Sequence, residues 1–163
     1  MQLNYRIGHG YDVHRLQKNN KLTLGGLTIK HDKGVVGHSD ADVVIHALCD
    51  AFLGALNLGD IGKHFPDTNK KYKNIDSKIL LKKVVKLCNA NGYKLSNADI
   101  TILLQNPKID SYKNKMENVL AETIGVKSSR ISIKATTTEG LGFVGREEGV
   151  SAHCVALLVS NVS

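Results

Sequence analysis

The stretch Arg6-Ile7-Gly8-His9-Gly10-Tyr11-Asp12-Val13-His14-Arg15-Leu16 sets the fold reading. It has the length of a strand, and the two-residue period of a strand puts Asp12 and His14 on one face. After it, Lys21-Leu22-Thr23-Leu24-Gly25-Gly26-Leu27-Thr28-Ile29 sets two alternating segments around a glycine pair, the pattern of a β-hairpin. Ser39 then suits the N-cap of a helix running to about Leu58, with Gly59 as its stop. Along that helix Val44, Leu48, Phe52 and Ala55 make an apolar stripe, while Asp42, His46 and Asp50 recur every four residues on another face. A polar stripe on a largely buried helix needs a partner, and a metal or phosphate supplies one.

Asp60 to Asn69 reads as a loop, followed by a helix from about Asp76 to Asn91 that Gly92 ends. A strand through Ala98 to Leu104, the break Gln105-Asn106-Pro107-Lys108, and a helix from about Ser111 to Ile124 ended by Gly125 come next. Arg130 to Thr137 and Val150 to Ser160 close the chain as strands. Helices alternate with strands without repeats or low-complexity linkers. The expected fold is α/β (α+β): a single-domain sandwich over residues 1–163, with one mainly four-stranded sheet, helices on one face and a small N-terminal β-hairpin.

At 163 residues and 42% hydrophobic composition, one core can bury about 70% of the unfolded chain's surface without disulfides. Cys49, Cys88 and Cys154 are odd in number, form no C-x-x-C pair and sit in apolar segments, so they read as reduced core residues in a reducing compartment. Met1 to Arg6 holds no apolar leader, and runs such as Val155 to Val159 are too short to span a membrane. A cytoplasmic protein without a membrane partner is expected. The net charge of +7 comes from lysines spread through 70–86 and 108–127, which suits solvated helix faces. Three phenylalanines, five tyrosines and no tryptophan leave little for base stacking, so no nucleic-acid partner is expected.

Six of the seven histidines lie in the first 64 residues. Asp12, His14 and the more distant His46 can offer one carboxylate and two imidazoles to a divalent metal with a position left open for chemistry, with Asp42 or Asp50 orienting His46. The same residues, taken alone, also suit a buried histidine satisfied by a carboxylate. Thr136-Thr137-Thr138-Glu139-Gly140 leaves a strand as three hydroxyls and a carboxylate, a set that suits phosphate oxygens with a cation between them and Glu139 as a magnesium ligand. A strand ending in a solvated glutamate has the same pattern. His38, before a helix start, suits a phosphate contact or proton movement, or plain surface exposure, and Lys108 and Arg146 are further anion contacts or ordinary surface charge.

R-I-G-H-G-Y-D-V-H-R-L at 6–16, H-S-D-A-D-V at 38–43 with His46 beyond, D-I-G-K-H-F-P-D-T at 60–68, Pro107-Lys108, and T-T-T-E-G-L-G-F-V-G-R at 136–146 together resemble the 2-C-methyl-D-erythritol 2,4-cyclodiphosphate synthases of the non-mevalonate isoprenoid pathway. The resemblance runs from about Arg6 to the C-terminus. It implies cyclisation of 4-diphosphocytidyl-2-C-methyl-D-erythritol 2-phosphate, in which the 2-phosphate attacks the β-phosphorus and CMP leaves. It implies zinc (Zn2+) on Asp12, His14 and His46, and magnesium or manganese (Mg2+ or Mn2+) held with Glu139. His38 and Thr137 would be catalytic, steadying the transferring phosphoryl group.

By the same resemblance Asp12, Val13, His14, His38 and Ser39 touch substrate, and Asp60, Ile61, Gly62, Phe65, Pro66, Asp67, Thr68 and Asn69 hold its methylerythritol part. Leu104, Gln105, Asn106, Pro107, Lys108, Ile109 and Asp110, with Ala135, Thr136 and Thr137, hold the cytidine and its phosphates, and Thr138 and Glu139 also touch substrate. The family assembles as a homotrimer with sites between subunits. Phe143 and Arg146 match positions near the substrate or a central cavity that takes an isoprenoid diphosphate in some members. Leu104, Ile109 and His153 depart from the residues usual at their positions. Two other readings of the bare residues are a basic nucleotide- or RNA-binding module without turnover and a metal-dependent nucleotide phosphohydrolase.

Overall fold

The computed structural model describes residues 4–160; residues 1–3 and 161–163 of the expected domain lie outside the described residues. The chain runs through β1 (Tyr5–Lys18), the hairpin strands β2 (Leu22–Leu24) and β3 (Leu27–Ile29), β4 (Lys33–Val36), α1 (Val43–Ala55) and the short α2 (Ile61–His64). It continues through α3 (Ser77–Ala90), β5 (Tyr93–Leu103), α4 (Asp110–Ile124), β6 (Ile131–Thr136), the short α5 (Gly142–Gly145) and β7 (Gly149–Ser160). Five strands form one sheet in the order β4-β1-β7-β5-β6, and β2-β3 form the separate hairpin. Neighbours are antiparallel except β5 and β6, which run parallel with α4 between them in sequence. The fifth strand, β4, adds four residues to the edge of the expected sheet by pairing with Arg15–Lys18.

One contact sets the position of everything else. Even-numbered residues of β1 face the helical layer, and there Gly8 and Gly10 meet α1 backbone to backbone. A Cβ on Gly8 would stand 1.7 Å from the Ala51 carbonyl oxygen, and one on Gly10 1.8 Å from that of Ala47. Glycine on the strand and alanine on the helix are what allow this approach. α1 then lies over β1 and β7 with α3 against it, and all but two of its 13 residues are buried. The odd-numbered residues of β1 face away from the helices. Ile7 is 73% exposed there, and Val155, paired with His9 across β7, is 47% exposed.

The start of α1 differs from the sequence expectation. Asp42, not Ser39, is the N-cap: its Oδ1 accepts from Val44 and Ile45 N–H at 3.1 and 3.2 Å. The same carboxylate accepts from Gly25 and Gly26 N–H in the hairpin turn at 2.9 and 2.6 Å. Ala41, in the left-handed region at φ 54°, keeps a helix from starting earlier, and the Ser39 hydroxyl accepts from Ala41 N–H instead. α1 also ends sooner than expected, at Leu56, where Asn57 takes the left-handed conformation (φ 56°) before Gly59 is reached. Within the expected 60–69 loop, Asp60 caps the single turn of α2 through Lys63 N–H at 2.9 Å. The three cysteines are buried, and burial pushes the Cys88 and Cys154 thiols up to about 11 and about 12. Among the described residues no helix is long and apolar enough to cross a membrane.

Replacing Gly10 by alanine sets a methyl group against a carbonyl that cannot move without shifting α1. Overpacking of this kind costs about 1–3 kcal/mol, and Gly10→Ala is expected at or above the upper end of that range. Urea unfolding of the two proteins measures it; equal midpoints would show that α1 does not rest on β1 in this way.

Candidate functional site

Two residues beyond Gly10, the face of β1 that met α1 turns polar. Asp12 and His14 stand there, and His46, the residue before Ala47, reaches them from α1. Ligand atoms of the three lie within 4.8 Å of one another. His46 Nδ1 is 3.0 Å from Asp12 Oδ2 and 3.2 Å from His14 Nε2, and His14 Nε2 is 3.1 Å from the same carboxylate oxygen. Burial alone would raise the Asp12 carboxyl, but hydrogen bonds from His14 and His46, and their charges, hold it at about 2. Burial likewise works against a charged His46, yet the hydrogen bond and charge of Asp12 carry its pKa up. An ionised carboxylate with two imidazoles converging on one point is a donor set suited to a borderline divalent ion. The three residues therefore fit a metal.

The expected orienting groups of His46 are corrected by the structure. Asp42 is fully occupied by backbone N–H groups, and Asp50 accepts from Ile61 N–H at 2.7 Å. Ser77 and Ser39 hydroxyls instead lie 3.0 and 3.2 Å from His46 Nε2. Ser77 was hidden from a linear reading because it arrives on α3, 31 residues away.

A cavity of about 190 Å³ opens over the three residues. Of the residues expected at the site, His38, Ser39, Ile61, Gly62, Phe65 and Asp67 line it with the cluster. Tyr72, Ile75 and Leu80 also line it and were not expected; an aromatic residue in the lysine-rich turn at 70–73 was the available signal. Tyr72 stands edge-on to Phe65 at 5.4 Å. Val13 points to the opposite face of the sheet, and Asp60, Pro66, Thr68 and Asn69 do not line the cavity. The buried His38 Nε2 has no hydrogen-bond partner among the described residues, which is costly unless a ligand supplies one.

A second cavity, also of about 190 Å³, lies at the ends of β5 and β6 beside the start of α4. Leu104, Gln105, Pro107, Lys108, Ile109, Asp110, Ala135, Thr136 and Thr137 line it. Gln105 Oε1 is buried there without a hydrogen-bond partner among the described residues. Asn106, joined to Pro107 by a cis peptide bond, turns away and donates to Glu147 at 2.6 Å. Thr136 and Thr138 hydroxyls donate to backbone carbonyls at 3.0 and 2.6 Å, whereas the Thr137 oxygen accepts from Glu139 N–H at 3.4 Å and its proton meets no acceptor among the described residues. Glu139, an exposed non-glycine residue at φ 53°, lies just outside this cavity. Phe143 and Arg146 line neither cavity, and Arg146 forms a two-pronged ion pair with Glu148 at 3.1 and 3.0 Å. The two expected catalytic residues, His38 and Thr137, thus occupy different cavities.

The YgbB family pattern matches residues 5–159. The chain belongs to the YgbB family. The chain is 56% identical over 153 residues to 2-C-methyl-D-erythritol 2,4-cyclodiphosphate synthase of Bacteroides fragilis (strain YCH46), covering 94% of this chain and 96% of that protein. Identity to the synthase of Porphyromonas gingivalis (strain ATCC BAA-308 / W83) is 56% over 162 residues, covering 99% and 100% of the two chains. Among solved YgbB-like structures, the bifunctional IspDF from Campylobacter jejuni superposes with a TM-score of 0.94 at 42% identity, covering 98% of this chain. This chain spans 43% of that bifunctional protein. A 2C-methyl-D-erythritol-2,4-cyclodiphosphate synthase in its CDP-bound form matches with a TM-score of 0.87 at 37% identity, over 94% of this chain and 99% of that one.

Removing one member of the cluster should abolish tight divalent binding in this YgbB protein. His46→Ala is expected to weaken zinc affinity by more than roughly 100-fold, beyond the cost of losing an outer-shell partner, as read by metal analysis after dialysis. Full zinc content in the folded variant would remove His46 from the ligand set.

Proposed function

We infer that this YgbB family member is an enzyme of isoprenoid biosynthesis that converts 4-diphosphocytidyl-2-C-methyl-D-erythritol 2-phosphate to 2-C-methyl-D-erythritol 2,4-cyclodiphosphate and CMP. The convergence of Asp12, His14 and His46 at the floor of a cavity carries the reading, together with near full-length identity to synthases of that name. In the reaction an oxygen of the 2-phosphate bonds to the β-phosphorus as the bond to the α-phosphate oxygen breaks. The nucleophile is already an anion and is tethered to its target, so the protein's task is to hold one folded substrate conformer.

Asp12, His14 and His46 are the proposed zinc ligands, and Glu139 the proposed ligand of magnesium or manganese. Cations held by these residues would neutralise charge on the diphosphate and polarise the phosphorus under attack. His38 Nε2, buried without a protein partner, and the Thr137 hydroxyl, with its proton uncommitted, are suited to steadying phosphoryl oxygens. Phe65, Tyr72, Ile75 and Leu80 give the cavity over the cluster an apolar side. The left-handed backbone of Glu139 costs energy in a non-glycine residue, which is consistent with a position kept for function.

The cytidine half of the substrate is assigned to the second cavity, where Gln105 and Lys108 offer polar contacts beside Leu104, Pro107 and Ile109. A cytidine diphosphate ligand is supported by the CDP-bound relative. Each cavity is smaller than the roughly 300–1,000 Å³ usual for a ligand of this size, which supports a site completed by joining two halves. The uncovered sheet face bearing Ile7, Tyr11, Val13 and Val155 supports a homotrimer in which neighbouring chains supply those halves. Phe143 and Arg146, which line neither cavity, are assigned to a central cavity of the trimer that would take an isoprenoid diphosphate. The single-domain organisation and a cytoplasmic location belong to the same proposal.

Phosphorus NMR of the protein with zinc, magnesium and the diphosphocytidyl substrate is expected to show CMP and the cyclic diphosphate rising in equal amounts. Inorganic phosphate or a linear product would mark a phosphohydrolase instead. Glu139→Gln is expected to keep its zinc while requiring at least several-fold more magnesium for half-maximal rate; an unchanged magnesium titration would remove Glu139 from the site.

A further inference from the structure

His46 turns its two ring nitrogens to two different environments. Nδ1 faces Asp12 and His14 at 3.0 and 3.2 Å. Nε2 faces away from them, 3.0 Å from the Ser77 hydroxyl and 3.2 Å from that of Ser39. Ser77 opens α3, is fully buried, and commits both of its donor groups to Asp40. Its hydroxyl donates to Asp40 Oδ1, and its backbone N–H donates to Oδ2 at 3.0 Å.

A serine hydroxyl has one proton to give. Because that of Ser77 goes to Asp40, its oxygen can meet His46 Nε2 only as an acceptor, and two lone pairs at 3.0 Å would repel. Nε2 therefore carries a hydrogen. With hydrogen held on Nε2, Nδ1 is the nitrogen that faces the carboxylate and the second imidazole, and the hydrogen with which it bonds Asp12 is the one a metal would displace. Asp40 is itself held in place: its Oδ1 accepts from Asp42 N–H at 3.3 Å, and its own N–H donates to Ile75 O at 3.2 Å. The chain of contacts from α3 through Asp40 to the start of α1 is continuous.

We propose that Ser77 and Asp40 are positioning residues that lock His46 in the Nε2–H tautomer and so present Nδ1 as its metal-binding atom. This rests on the metal reading of the Asp12, His14 and His46 cluster. Partners of this kind fix ring orientation and raise the basicity of the ligating nitrogen, and their loss costs roughly 10–100-fold in metal affinity. Ser39 shares the same nitrogen but does not determine its protonation, since its hydroxyl can either give or accept.

Zinc affinity by competition with a chelator, for wild type and Ser77→Ala, tests the proposal beside imidazole nitrogen NMR of the zinc-loaded wild-type protein. The expected results are a zinc Kd raised roughly 10–100-fold in Ser77→Ala, and a wild-type His46 with hydrogen on Nε2 and zinc on Nδ1. A purely structural serine would lower the melting temperature of the metal-free protein and leave the zinc Kd unchanged. An unchanged Kd in folded Ser77→Ala, or zinc on Nε2, would overturn the proposal. Should Ser77→Ala not fold, the wild-type NMR decides alone. Failure of wild-type protein to take up zinc would overturn the metal reading itself, and the positioning role with it.

Discussion

The backbone contact of Gly8 and Gly10 with the carbonyls of Ala51 and Ala47 is the constraint from which the rest of the molecule follows. A helix that approaches a strand this closely has little freedom to slide or rotate. His46, adjacent to Ala47, is thereby fixed above Asp12 and His14, the next two residues on the same face of β1. Three polar groups from two elements can then meet within hydrogen-bond distance in a partly buried place, where an uncompensated charge would be costly. Packing therefore precedes chemistry: the small residues set the distance, and the histidines use it. The Asp42 carboxylate completes the arrangement by joining the helix start to the turn of the hairpin.

The alternation that turns Gly8, Gly10, Asp12 and His14 toward the helices turns Ile7, His9, Tyr11 and Val13 the other way. One strand thus serves a buried site and an uncovered face at once. His153, one of the departures from the usual family residues, stands on that face 3.2 Å from His9. The second cavity lies at the far side of the sheet order, beyond β7, where the parallel pair β5 and β6 ends. Two small cavities, each holding one unsatisfied buried polar atom, suit an enzyme whose substrate joins a nucleoside to a sugar-alcohol phosphate through a diphosphate.

Much of this was legible in the linear sequence where the signal was local. The period of two in Arg6–Leu16 paired Asp12 with His14, the glycine pair gave the hairpin, and Gly92 and Gly125 marked helix ends within a residue or two. Ser39 was mistaken for a cap because serine suits that role. What decided against it was the left-handed Ala41 and the hairpin N–H groups that the Asp42 carboxylate accepts. The support of His46 was missed for a similar reason: i±4 spacing pointed to Asp42 and Asp50, whereas the actual partner, Ser77, comes from another helix. The Asp12, His14 and His46 set was read from the chain, but the groups that hold it in place depend on tertiary packing. The lining by Tyr72, Ile75 and Leu80 arises in the same way.

If neighbouring chains complete each site, two different defects can repair one another. Co-assembly of His46→Ala chains with Thr137→Ala chains, each inactive alone, creates interfaces where an intact metal half faces an intact cytidine half. Recovery of cyclic diphosphate formation in the mixed oligomer is the predicted result. Mixed oligomers that form but stay inactive would mean that one chain builds its site alone, and would contradict the shared-site architecture.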